Sequence, residues 1–210
     1  MTENPWVHRL APWIAPIFVI LWSTGFIIAI YGMPHAEPMT FLVLRFSGVV
    51  VCMLPIVFLS KAPWPSQSQT LHIAISGVFL QAGYVGGVWV AVKEGMSAGL
   101  VALIVGLQPI LTAWLAALIA EKVTRQQWLG LVIGLMGVGL VVWTKLSLIG
   151  LSWLSLGFGF FALLSITAGT LYQKKYCAQF DIRTGSVIQF AASVFICVPL
   201  MLIFDTMEIE

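Results

Sequence analysis

The sequence predicts an all-α fold, a polytopic membrane helix bundle with seven transmembrane helices. Three observations predict it. Of 210 residues, 60% are hydrophobic and only 9% charged, with a mean hydropathy of +1.01; soluble domains carry roughly 25% charged residues, so a water-soluble fold is excluded. The apolar residues fall in uncharged windows close to the ~20 residues that a helix needs to cross a ~30 Å hydrocarbon layer. Those windows are continuously apolar rather than alternating, which argues against a β-barrel and leaves helices as the spanning structure that satisfies its own backbone.

The spans are placed at 11–31, 39–59, 71–92, 98–120, 127–143, 153–172 and 185–204. The apolar stretch of the first exceeds the ~7–15 residues of a signal peptide's core and is read as a retained anchor. The third carries Gly83, Gly87 and Ala91, and the fifth Gly130 and Gly134, small residues four apart that let helices approach closely. The fourth carries Gly99, Ala102, Gly106, Pro109, Ala113, Ala116 and Ala120, a stripe that predicts packing against protein along its whole length. Thr124 and Gln127 form the Thr-x-x-Gln pattern of a capping box at the start of the fifth. Trp13, Trp64, Trp89, Trp128, Trp143 and Trp153 fall at or near span ends, as an interfacial belt requires, whereas Trp22 and Trp114 sit deeper.

Charge sets the orientation. One set of connections holds Arg9, Lys61, Lys122, Arg125, Lys174, Lys175 and Arg183, and the opposite set only Lys93 and Lys145. The excess places the N-terminus in the cytoplasm and the acidic end, Asp205, Glu208 and Glu210, outside. A plasma-membrane, multi-pass location follows, with the lipid bilayer as the first partner. The basic residues are scattered, so no nucleic-acid surface is indicated. Cys52, Cys177 and Cys197 show neither a CxxC nor a Cys/His metal pattern and are read as reduced packing residues; no metal or cofactor is expected.

Shifting the chain on itself by 144 positions lays Gly25 on Gly169, Arg45 on Gln189, Phe46 on Phe190 and Pro55 on Pro199. If spans six and seven repeat spans one and two, the unit has five helices, and an odd unit forces the second copy into the membrane inverted. The expected units are residues 1–146 and an incomplete second copy at 147–210. Two full copies of that period need roughly 290 residues; the expectation is therefore a truncated product, or a bundle completed by a partner chain or homo-oligomer.

Several of these residues also carry a family resemblance: Leu21-Trp22-Ser23-Thr24-Gly25-Phe26, Leu44-Arg45-Phe46, and the block from Ser97-Ala98-Gly99 through Gln108-Pro109 and Glu121 to Gln127-x-x-Gly130. With them the chain resembles the EamA-like branch of the drug/metabolite transporter superfamily. Leu171-Tyr172-Gln173-Lys174-Lys175 and Gln189 resemble the start of a second EamA copy. The resemblance implies ten helices in two inverted five-helix units, both termini inside, and transport of small metabolites such as amino acids or drugs, often outward. This sequence departs from that pattern by lacking helices eight to ten.

The candidate substrate-binding residues are Trp22, Arg45, Gln81, Tyr84, Gln108, Pro109, Trp114 and Gln189. Arg45 is a formal charge well inside a span, about 9 Å below its outer edge. It reads either as a fixed cation for a carboxylate-bearing substrate or as an anchor that snorkels to the headgroups. Gln81, Gln108 and Gln189 offer amides that donate and accept, to a substrate or between helices. Trp22, Tyr84 and Trp114 read as an aromatic wall or as packing. Pro109 lacks an N–H and should kink the fourth span and free an acceptor. Glu121, beside Lys122 and Arg125, reads as a solvated loop group more readily than as a gate.

These features favour a secondary carrier that exports a small metabolite across the plasma membrane over other classes. There is no G-x-x-x-x-G-K-[ST] loop, so transport would draw on gradients. His8, His35 and His72 lie far apart and the carboxylates are confined to connections, so no enzyme is expected. The seventh span holds no Lys for a retinal Schiff base. The alternative kept is a non-transporting remnant, or a half that needs a partner membrane chain.

Overall fold

A computed structural model describes residues 36–118, 124–143, 151–177 and 179–205, together with isolated positions between 13 and 31. Every regular element there is helical: α1 (Pro38–Leu59), α2 (Gln67–Lys93), α3 (Ala98–Val105), α4 (Gln108–Leu118), α5 (Arg125–Trp143), α6 (Trp153–Tyr176) and α7 (Ile182–Phe204). Among the described residues, α1, α2, the segment Ala98–Leu115, α6 and α7 are long and apolar enough to cross a membrane. Most of the first predicted span, including Trp22 and Gly25, lies outside the described residues, as does Glu121.

Local chemistry explains where the helices start. Pro38 opens α1 at a position where the missing N–H costs nothing. Ser66 accepts from the Gln69 N–H at 3.4 Å and Ser97 from the Leu100 N–H at 3.4 Å, capping α2 and α3. The box at α5 forms as the sequence predicts, with the Thr124 N–H on Gln127 Oε1 at 2.8 Å and the Gln127 N–H on Thr124 Oγ1 at 3.3 Å. Ser152 and Ser155 cap each other at α6, and the Asp181 carboxylate accepts from the Arg183 N–H at 2.9 Å at α7. Residues 182–184 were expected in the loop before a span at 185–204; this cap starts α7 at Ile182 instead.

α6 is the central helix. It packs along both halves of α2 and touches α3 and α4, while α7 packs on α1 and on the first half of α2. The core joins Leu42 and Phe46 of α1, Tyr84, Val88, Trp89 and Ala91 of α2, Val101, Ile104 and Val105 of α3, and Ala162, Leu163 and Ile166 of α6. Close approach of α2 and α6 needs Gly87, where a Cβ would lie 3.1 Å from Ala162 Cβ and 3.2 Å from the Phe158 carbonyl oxygen.

α1 and α7 run antiparallel. At one end the Thr40 N–H and Oγ1–H both donate to Asp205 Oδ2, at 2.6 and 2.9 Å; at the other, Thr184 Oγ1 donates to the Pro63 carbonyl at 3.1 Å. Between them the Phe46 and Phe190 rings meet at 5.4 Å. Pro38 and Ile182, the first residues of the two helices, and Thr40 and Thr184, which tie their ends, are each separated by the 144 positions of the sequence shift.

Five expectations are corrected. Trp89 is 1% exposed and stacked on Phe41 at 4.5 Å, a core residue rather than an interfacial anchor. The fourth span buries Val101, Ile104 and Val105, whereas Gly106 and Pro109 on its small-residue stripe are exposed, because α6 meets the branched face. A Cβ at Gly130 or Gly134 would meet nothing within 4 Å, since the described residues pack only lightly on α5. Cys52 is exposed, while Cys177 and Cys197 are buried and free as expected. The fourth span is also broken rather than bent: Pro109 leaves the Val105 carbonyl without its N–H partner, and Leu107 N–H turns back to the Ile104 carbonyl at 3.1 Å, so that α3 and α4 are separate.

Candidate functional site

Among the described residues, Arg45 is the one formally charged side chain in the interior of a helix. Lys93, Arg125, Lys174, Lys175 and Arg183 all sit in first or last turns. Arg45 lies on the exposed side of α1, one residue before the fully buried Phe46. Phe46, the next residue, shares the core with Tyr84 of α2, which is 7% exposed. Two of the candidate residues, a guanidinium and a phenol, thus sit on neighbouring helices, α1 and the second half of α2.

The three glutamines divide. Gln108 Nε2 donates to Thr170 Oγ1 at 3.3 Å and so ties the start of α4 to α6. Gln189 Nε2 donates to Ser76 Oγ at 3.1 Å, tying α7 to α2 where its own Cα sits against Gly77. Both therefore make helix-to-helix bonds. Gln81 is half-buried in the middle of α2 and has no side-chain hydrogen-bond partner among the described residues. Trp114 is 56% exposed on α4, and Pro109 is exposed beside the helix break. Trp22 lies outside the described residues.

Sequence reasoning missed the partners that hold this frame. Ser76, Ser165, Thr170 and Ser193 each bond across to another helix or cap a carbonyl, with Ser165 Oγ on the Phe79 carbonyl at 2.9 Å and Ser193 Oγ on the Gly77 carbonyl at 3.1 Å. Their signal was present as hydroxyls inside apolar spans, where a polar group must find a partner. A second cluster lies at the opposite end of α2: His72 Nδ1 pairs with the Tyr172 hydroxyl at 2.7 Å, and the His72 ring stacks on Tyr176 at 5.0 Å. Among the described residues no three His, Cys, Asp or Glu side chains converge to hold a metal.

Comparison with known proteins bears on the whole bundle. The sequence profile of the EamA-like transporter family matches residues 10–143. The uncharacterized inner membrane transporter YedA of Escherichia coli K12 is 23% identical over 197 residues, covering 93% of this chain and 64% of the relative, and that of E. coli O157:H7 matches to the same extent. A probable amino-acid metabolite efflux pump of Salmonella typhimurium LT2 is 27% identical over 142 residues, 67% of this chain and 46% of the relative. The chain therefore spans less than two thirds of the length of these relatives. No solved structure matches significantly. The profile match over most of the chain, on a bundle of apolar helices built as described, makes this protein a multi-pass membrane member of the EamA-like transporter family.

Proposed function

We propose that the chain carries the substrate-facing elements of a secondary carrier, not an enzyme, that moves a small carboxylate-bearing metabolite such as an amino acid outward across the plasma membrane. The observation that carries this reading is Arg45 inside α1, next to the Phe46 that shares a core with Tyr84 of α2. A charge in the interior of an apolar helix is costly and persists where it meets a cavity or partner, and a guanidinium with a neighbouring phenol hydroxyl suits a carboxylate. Gln81, whose amide has no partner among the described residues, lies about one helical turn before Tyr84 on the same helix and supplies a further donor and acceptor. The outward direction and the amino-acid class draw on the Salmonella relative's name.

The carrier works, in this reading, as two inverted units, residues 1–146 and 147–210, related by an axis near the Phe46–Phe190 contact. The equal spacing of Pro38 and Ile182, and of Thr40 and Thr184, supports that relation. The N-terminus lies in the cytoplasm. A second reading rests on open surface: a Cβ at Gly48, one turn from Arg45, or at Gly130, Gly134, Gly137 or Gly139 on α5 would meet none of the described residues of another element within 4 Å. A partner chain or second copy would cover those faces, and the chain would then transport only in that assembly.

Proteoliposomes loaded with a mixture of radiolabelled amino acids test both readings. Efflux per inserted molecule should fall about ten- to hundredfold in Arg45→Gln, the scale of a lost charge-assisted hydrogen bond of ~1.5–3 kcal/mol. Arg45→Lys should recover little, because a lysine cannot reproduce the bidentate fork. Unchanged efflux in both variants would refute the Arg45 site. A wild-type chain that is silent alone and active with a co-reconstituted membrane partner supports the second reading.

A further inference from the structure

Between its two halves α2 contains a π-helical segment, Val78–Gly83, and Ser165 of α6 is built against it. The buried Ser165 hydroxyl donates to the Phe79 carbonyl at 2.9 Å, and the Tyr84 N–H donates to that same carbonyl. Gly83 leaves room for this contact, since a Cβ there would run into Ser165 Oγ. A π segment holds an extra residue relative to an α-helix, and one residue turns an α-helix by roughly 100°. The two halves of α2 therefore present faces that an unbroken α-helix could not present together.

Both faces are held. Upstream, Ser76 and Gly77 are fixed on Gln189 and His72 on Tyr172. Downstream, Tyr84, Val88, Trp89 and Ala91 are buried in the core. Tyr84 is the first residue after the segment, so its direction depends on the segment's register. We propose that Ser165 is a positioning residue for the substrate site: by holding the Phe79 carbonyl in the π register it sets the rotation of Tyr84 and hence the Arg45–Tyr84 pair that grips a carboxylate. This rests on the reading of that pair as the binding site.

The test uses the full chain in detergent with 3-fluorotyrosine at its four tyrosines, Tyr31, Tyr84, Tyr172 and Tyr176. The Tyr84 resonance is assigned by its loss in Tyr84→Phe. Ser165→Ala should move that resonance while Tyr172 and Tyr176 keep theirs, and Ser165→Cys, which retains a weak donor, should fall between Ser165→Ala and wild type. Gly83→Ala should move it as well, and Gly83→Ala combined with Ser165→Ala should give the Ser165→Ala position, because the two changes act on one contact. In proteoliposomes, Ser165→Ala should raise the half-saturating concentration of an amino-acid mixture about fivefold, the scale of one hydrogen bond, with the maximal rate per molecule preserved. A Tyr84 resonance that stays in place in Ser165→Ala, or a Ser165→Cys signal indistinguishable from it, overturns the proposal. If the resonance behaves as expected but the wild-type chain moves no amino acid, the transport reading fails and the positioning of Tyr84 by Ser165 stands.

Discussion

Replacing Gly87 by Ala places one methyl group at a tight point of the α2–α6 contact. The new Cβ would lie 3.1 Å from Ala162 Cβ, 3.1 Å from Phe161 Cδ1 and 3.2 Å from the Phe158 carbonyl oxygen. Phe161 can swing away, but the carbonyl and the Ala162 methyl are part of the α6 backbone surface and move only with the helix. Overpacking of this kind costs about 1–3 kcal/mol, while Ala gains up to ~1 kcal/mol over Gly in helix propensity. The net expectation is a loss of about 1–2 kcal/mol. Gly134→Ala is the internal control: its Cβ meets nothing within 4 Å, so only the propensity remains and the effect should be neutral to stabilising by up to ~1 kcal/mol. At about 2–4 °C per kcal/mol for a chain of this size, thermal melting of the purified proteins in mild detergent resolves the difference in sign. Equal melting temperatures for Gly87→Ala and wild type, or an equal loss in Gly134→Ala, would refute the claim that Gly87 exists for close approach and Gly134 does not.

Asp181 accepts from the Arg183 side chain at 3.0 and 2.6 Å, and these bonds hold its carboxyl down at about 2, well below the usual carboxylate range. A lowered folded-state value contributes stability above the ordinary carboxylate range and loses it as pH falls toward the folded value, so the melting-point gap between wild type and Asp181→Ala should be constant from about pH 7 to about pH 5 and narrow below about pH 4. A gap that instead widens on acidification would contradict this pairing. An alkaline phosphatase fused after Glu210 should be active and a fluorescent reporter that matures only in the cytoplasm should be dark there, because the basic residues favour a cytoplasmic N-terminus and seven spans then carry the far end across; the reverse pattern sinks the orientation.

The helices themselves were legible in the sequence because lipid leaves the backbone no alternative: a continuous apolar window must satisfy its own N–H and C=O groups, and does so as a helix. Their boundaries were legible where a side chain caps its own helix, as Thr124 and Gln127 do at α5. A candidate site residue was legible too, since a charge in the interior of an apolar helix stands out and Arg45 is that charge. Pairing was not. Small residues recur on α2 and α5 alike, yet only those of α2 meet a neighbour, because spacing describes one helix and close approach is a property of two. The same reason turns Trp89 from an expected anchor into a stacked core residue and assigns Gln108 and Gln189 to Thr170 and Ser76 on other helices. The π segment of α2 belongs wholly to tertiary structure: it arises where two halves of one helix are held by different partners, and only their packing decides that an extra residue must be taken up between Val78 and Gly83.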